Sequence, residues 1–226
     1  MTVVCVGVFA LPVLEIRQGG QAVNTAAEVA RLIAGNPEMR HHLRLVAELN
    51  LPDCWVGAGF IRNRLWDALN GWPPKEIRTD VDVVYFDPLP ASPRMDQLLQ
   101  RQLKARAGTV DWSVKNQARM HSRNGDRPYN DTIDALRHWP ETATAIAARA
   151  IPGGIEVIAP YGVADLMNGI VRPTPAFANK LELYQHRIAT KGWLVRWPHL
   201  QVLNEPPDCG APGPQRPVHQ RVPIPG

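Results

Sequence analysis

Two aspartates one residue apart, Asp80 and Asp82, open the run D-V-D-V-V-Y-F over residues 80–86. The β-branched and aromatic residues of this run read as a strand. Side chains alternate along a strand, so both carboxylates point to one face while Val81 points to the other. Carboxylates this close repel unless a cation lies between them or one takes up a proton. A hard divalent ion, Mg²⁺ or Mn²⁺, suits the pair, because such ions favour one or two carboxylates plus substrate phosphate oxygens. Ions held that way activate an attacking hydroxyl and stabilise a leaving pyrophosphate. D-x-D is also a common polar strand entrance, with Thr79 and Asp80 in a turn and Asp82 exposed. The pair alone leaves both readings open.

Upstream, the apolar Cys54-Trp55-Val56 runs directly into Gly57-Ala58-Gly59. Phe60, Ile61, Leu65, Trp66 and Leu69 then recur at helical spacing. This predicts a strand, a small-residue turn and a helix N-terminus. Such a turn lets backbone approach a ligand closely, and the first N–H groups of the helix favour phosphate. The pattern is neither the dinucleotide fingerprint nor the P-loop, and a tight strand-to-helix turn uses glycines in the same way. Taken with the aspartates, Gly57, Ala58 and Gly59 read as the backbone cradle of a nucleoside triphosphate (NTP).

The order G-[AG]-G, helix, loop, D-x-D resembles the polymerase-beta-like nucleotidyltransferase superfamily. Ala58-Gly59-Phe60-Ile61-Arg62-Asn63-Arg64-Leu65-Trp66 is similar to the G-G-x-V-R-D-x-L-L signature of tRNA nucleotidyltransferases. Asn63 stands where that signature has Asp, and Ala58 where it has Gly. Those departures, and the lack of the tRNA-binding regions, argue against a true CCA-adding enzyme. A closer resemblance is to the small bacterial group labelled "nucleotidyltransferase family protein". It runs from about Leu51 to Leu203, through T-D-V-D-V-V-Y-F-D, W-S-V-K-N-Q-A-R-M-H, W-P-E-T-A-T-A and I-A-P-Y-G-V-A-D-L.

This resemblance implies an α/β fold, a small mixed, twisted sheet backed by helices with helical additions at both ends. It implies metal-dependent transfer of a nucleoside monophosphate from an NTP to an acceptor, with release of pyrophosphate. The acceptor, a small molecule, a protein or an RNA, is left open, as are the base and the oligomeric state. The superfamily draws a third carboxylate from a neighbouring strand. Residues 109–115 alternate, with Val110, Trp112 and Val114 on one face and Asp111, Ser113 and Lys115 on the other. Asp111 is therefore the expected third metal ligand and catalytic acid beside Asp80 and Asp82, and Asp165 is its competitor. Arg62 and Lys115 are expected to counter the phosphate charge. The rival class is a non-catalytic nucleotide-binding or regulatory module with an incomplete metal site.

The remaining elements must hold that site. Helices are expected over Ala26–Gly35, from Pro37 past Leu49, over Pro93–Ala107 and from Asp131 to Trp139. An alanine-rich helix is expected over Thr142–Ala150, a strand over Ile155–Ala159 and a helix over Phe177–Lys191. Lys180, Arg187 and Lys191 on the last helix are candidates for phosphate, although solvated cations are the commoner case. Arg119 and His121 are candidates to face the nucleotide. His41 and His42 read as solvated, and Asp134 and His138 as a helix-face pair.

In domain terms, residues 1–23 read as a weakly ordered leader, 24–203 as one domain and 204–226 as a disordered Pro/Gly-rich tail. Of 226 residues, 45% are hydrophobic, enough for a real core, and the net charge of +4 permits a nucleotide partner without requiring one. Three widely spaced cysteines match no zinc pattern and suit a reducing cytosol, so a cytoplasmic location is expected. The apolar opening is too short to span a bilayer, and no membrane partner is expected.

Overall fold

The structure is a computed structural model that describes residues 25–73, 80–89, 92–207 and 220–223. The expected leader, Cys5, Cys209 and the loop over 74–79 lie outside the described residues. The chain opens with α1 (Ala26–Gly35) and α2 (Pro37–Ala47). Each helix starts where its sequence supplies a cap. Thr25 and Glu28 form a capping box, with the Thr25 N–H donating to Glu28 Oε2 at 2.9 Å. Asn36 Oδ1 accepts from the Met39 N–H at 3.0 Å, with Pro37 at the first helical position.

Next come β1 (Trp55–Gly57), α3 (Gly59–Leu69), β2 (Asp80–Tyr85), α4 (Pro93–Arg106) and β3 (Asp111–Asn116). Then follow α5 (Met120–Asn124), α6 (Thr132–Arg137), β4 (Ala147–Ile151), β5 (Gly154–Ile158) and α7 (Ala164–Met167). The chain continues through β6 (Ile170–Val171), α8 (Leu181–Lys191), α9 (Trp193–Arg196), β7 (Gln201–Val202) and β8 (Gln220–Pro223).

The main sheet has the order β3-β2-β1-β4-β5-β8 and is mixed, as expected. Neighbours pair antiparallel except β2 and β3, which are parallel and joined by α4. A parallel pair needs such a crossover because a hairpin cannot return the chain in the same direction. β6 and β7 form a separate parallel pair.

One face of the sheet carries Val56, Val81, Val83, Tyr85, Trp112, Val114, Ala148, Ile155 and Val157, all buried in the main core with residues of α1 to α4. Truncating one of the large core residues, such as Leu103 on α4, costs about 2–5 kcal/mol through lost contacts and the void left behind. The opposite face carries a smaller apolar cluster of Trp55, Val84, Ala147 and Ile158, where Leu136 of α6 packs. Asp80, Asp82, Asp111, Ser113, Lys115, Arg149 and Glu156 also lie on that face.

Three expectations are corrected. Thr142–Ala150 is no helix; its second half is β4, which hairpins through Pro152-Gly153 into β5. Its alanines favour a helix locally, but Ala147 and Ala148 are buried on opposite faces of the sheet, where small side chains fit. His42 is buried rather than solvated, edge-on to Trp112 at 5.5 Å between centroids. Within the expected tail, residues 220–223 form β8 on the edge of β5. Gly154 allows the approach, since a Cβ there would lie 2.4 Å from the Val222 carbonyl oxygen. No helix among the described residues is long and apolar enough to cross a membrane.

Candidate functional site

The polar part of the sheet face begins with the first residue of β2. Asp80 is exposed and Asp82 half-buried, while Val81 and Val83 between and beyond them enter the core. In the parallel pair, Asp80 is the register partner of Asp111, Asp82 of Ser113 and Val84 of Lys115. Register partners present their side chains to the same face. On the other side of β2, Gly57 is the partner of Asp82. All three expected carboxylates, with Ser113 and Lys115, therefore share one face over two adjacent strands.

Burial lifts the Asp82 carboxyl above its ordinary pKa, and the neighbouring Asp80 charge adds to the lift. A hydrogen bond from Ser113 and the charges of Lys191 and Arg62 act in the opposite direction. A partly desolvated carboxylate beside a second carboxylate is an oxygen donor set that suits a hard cation. Among the described residues, no group of three His, Cys, Asp or Glu side chains is arranged to hold a metal ion. The carboxylates that the strand register places on this face are Asp80, Asp82 and Asp111.

The small-residue turn divides its tasks differently from what its sequence suggests. Gly57 lies in β1, and a Cβ there would meet the Trp139 ring at 2.9 Å and the Ile146 carbonyl at 3.2 Å. The close approach at Gly57 is therefore made by the protein's own tryptophan and backbone. Ala58 has φ 50° and ψ −120°, a conformation that favours glycine. Its N–H donates to the Ile146 carbonyl at 3.1 Å, and its carbonyl accepts from the Arg62 N–H at 3.0 Å. Gly59 starts α3 with ordinary van der Waals room, since a Cβ there would lie 3.4 Å from the Arg62 and Asn63 side chains. The first N–H groups of α3 have no intrahelical acceptor and begin two residues after the register partner of Asp82.

Arg62 is buried, its guanidinium 4.3 Å from the Trp193 ring centroid and 5.3 Å from that of Trp66. It donates to Asn63 Oδ1 at 2.8 and 3.2 Å. Burial lowers its pKa to about 10, opposed first by Glu141 and more weakly by Asp80 and Asp82. The Arg62 guanidinium lies against the Trp193 ring, with the Trp66 ring edge-on to Trp193 beside it, and its charge is felt at the aspartates from within the core.

Sequence reasoning assigned no role to Glu141 or Trp139. Glu141 is fully buried, accepting from Arg187 Nε at 2.6 Å and from the Thr144 hydroxyl at 2.7 Å. An acid beside the small, apolar run T-A-T-A-I-A-A was the available signal, since a buried acid needs a cationic partner. Asp165, the competing third acid, is paired with Arg172 at 3.0 Å and accepts from the Thr142 hydroxyl at 2.6 Å. Arg119 is paired with Asp96, which also accepts from the Tyr85 hydroxyl at 2.8 Å. The His121 Nδ1 lies 2.9 Å from the Ala118 carbonyl oxygen, and Lys180 pairs with Asp126 at 3.2 Å.

A family model described as nucleotidyltransferase matches residues 44–202. An NMR structure of a protein said to reveal a CCA-adding enzyme head domain superposes with a TM-score of 0.73 at 33% sequence identity, covering 81% of this chain and 98% of that one. The Thermotoga maritima CCA-adding enzyme complexed with tRNA aligns with a TM-score of 0.49 at 17% identity, covering 77% of this chain and 42% of that one. No curated protein matches the chain.

Proposed function

The chain belongs to the nucleotidyltransferase family, with a polymerase-beta-like fold, and we propose that it moves a nucleoside monophosphate from an NTP to an acceptor in a metal-dependent reaction. The observation that carries this reading is the shared face of Asp80, Asp82 and Asp111, with Gly57 and the start of α3 beside Asp82. An acceptor oxygen attacks the α-phosphorus, a new P–O bond forms, and the bridging P–O bond to the β-phosphate breaks to release pyrophosphate. The acceptor is a small molecule, a protein or an RNA carrying a free hydroxyl or phosphate. A cytoplasmic setting, where NTPs are supplied, goes with this reading.

Asp80 and Asp82 are the residues that would hold Mg²⁺ or Mn²⁺, with Asp111 as the third acid. Bound there, such an ion offsets charge on the phosphoryl oxygens and favours the deprotonated acceptor. The protein's own part is positioning and electrostatics. Ser113, the register partner of Asp82, favours its ionised form, and the open N–H groups at the start of α3 accommodate phosphate oxygens. Arg62 supplies fixed positive charge from behind the site.

A second reading, a nucleotide-binding module without catalysis, draws on the lack of a three-residue metal group among the described residues. The two readings separate in one experiment. The purified protein is incubated with each of the four NTPs and Mg²⁺ or Mn²⁺, and pyrophosphate release is followed. Release with at least one NTP supports transfer; NTP binding without release supports the module.

A further inference from the structure

Trp55, Trp66, Trp112 and Trp197 are buried, and each gives its indole N–H to a protein oxygen. The acceptors are Asp53, the Leu166 carbonyl, the Ala107 carbonyl and Asp67 respectively. A buried indole usually finds such a partner. Trp139 differs. It is half-buried, and its indole N–H is open to solvent with no acceptor among the described residues.

The place of this ring is fixed at both ends. The Trp139 backbone N–H donates to the Leu136 carbonyl at 3.1 Å. Its carbonyl accepts from the hydroxyl of the fully buried Thr174 at 2.7 Å, and the Thr174 N–H donates to the Pro140 carbonyl at 3.1 Å. The far edge of the indole ends in the notch that Gly57 leaves in β1, where a Cβ would lie 2.9 Å from Cη2 and 3.3 Å from Cζ3. Glycine inside a strand marks a point of close approach, and here the approaching group is this ring. Asp82 is the register partner of Gly57, and opposed Cβ positions lie about 4.5–5.5 Å apart on one face. The tip of the indole therefore sits one strand over from the Asp82 carboxylate. The ring also packs against the cluster of Trp55, Val84, Ala147, Ile158 and Leu136. Trp139 thus forms the border between that apolar patch and the carboxylates.

We propose that Trp139 is the nucleoside-contacting residue of the site, its half-exposed indole stacking against the base of the NTP while the phosphates lie toward Asp80 and Asp82. This rests on the reading of the site as a nucleotidyl-transfer centre. A flat ring offers a π-face to any base, and the free N–H is a donor for a base or ribose oxygen. The anchors at Thr174 and Gly57 hold the ring in advance, so that little further ordering is needed when a base arrives.

The test compares the four NTPs with inorganic tripolyphosphate, which carries the phosphate chain without a base. Each is titrated calorimetrically, with Mg²⁺ present, into the full chain and into Trp139→Leu, Trp139→Phe and Ile133→Ala. Leucine refills the apolar patch without a π-face, phenylalanine keeps one, and Ile133→Ala loosens the same patch. Trp139→Leu is expected to weaken the best-bound NTP about tenfold or more and to leave tripolyphosphate within about twofold of wild type. Trp139→Phe and Ile133→Ala are expected to stay within about threefold for both ligands. A second readout needs only the conservative variant: the NTP-induced change in tryptophan emission should be present in wild type and largely absent from Trp139→Phe. Wild-type NTP affinity in Trp139→Leu, an equal loss for tripolyphosphate or in Ile133→Ala, or an undiminished emission change in Trp139→Phe overturns the assignment and leaves the proposed reaction standing. Failure of the wild-type chain to bind any NTP overturns both.

Discussion

Asp82 and Ser113 are register partners across the parallel pair of β2 and β3. The Ser113 hydroxyl favours the ionised acid, against burial and the Asp80 charge, which favour the protonated one. Removing it in Ser113→Ala shifts the balance further toward protonation. The acid limb of the pH–rate profile for pyrophosphate release is expected to move to higher pH, so that activity falls more at about pH 5.5 than at about pH 8. An unmoved limb would detach Asp82 ionisation from the rate.

Ala58 stores backbone strain. Its positive φ places a Cβ where glycine is at ease, at the junction of β1 and α3. Ala58→Gly should raise the unfolding free energy by about 1 kcal/mol, the relief of strain outweighing the greater freedom of glycine in the unfolded chain. Urea denaturation measures it directly. A lower midpoint in the variant would mean that the alanine methyl contributes more in packing than it costs in strain.

His42 couples the fold to pH. Its pKa in the folded protein is lowered from 6.5, first by burial, with Glu38 opposing and His41 adding to the effect. Its Nδ1 is buried without a hydrogen-bond partner. The unfolded chain therefore binds a proton on His42 at a pH where the folded chain does not. The stability contribution is present above about pH 6.5 and is lost as pH falls below it. Replacing the ring by an apolar side chain in His42→Leu should shrink the drop in urea midpoint between about pH 7.5 and about pH 5. An equal drop in both proteins would assign the acid sensitivity to other groups.

Much of this arrangement is legible in the residues because it depends on local rules. Period-two alternation is enough to put Asp80 and Asp82 on one face and Asp111 and Ser113 on another strand's polar face. Thr25, Asn36 and Asp131 mark helix starts because the N–H groups of a first turn need acceptors that short polar side chains can supply. What was not legible depends on contacts between distant segments. β4 has the composition of a helix, and only its neighbours β1 and β5 make it a strand. Glu141 gains meaning from Arg187, 46 residues away, and Gly57 from Trp139. His42 looks like a surface residue until Met39, Leu43 and Val46 are seen to turn the same side of α2 into the core. β8 joins the sheet from far along the chain, where no pattern of local residues announces a partner.

The most direct test of the account is Asp82→Asn, assayed for pyrophosphate release with the NTP and metal that give the fastest wild-type turnover. The substitution removes a metal-binding charge and should cut turnover at least about a hundredfold. Its effect on stability should run the other way. A carboxyl whose folded pKa is raised contributes stability fully only below its unfolded value of 3.8, and that contribution is lost as pH rises through the folded pKa. At neutral pH without metal, Asp82→Asn should therefore unfold at the same temperature as wild type or higher. Mg²⁺ should raise the wild-type midpoint and leave that of the variant unchanged. Undiminished pyrophosphate release by a folded Asp82→Asn protein would contradict the central claim, because the reaction would then proceed without the charge around which the site is built.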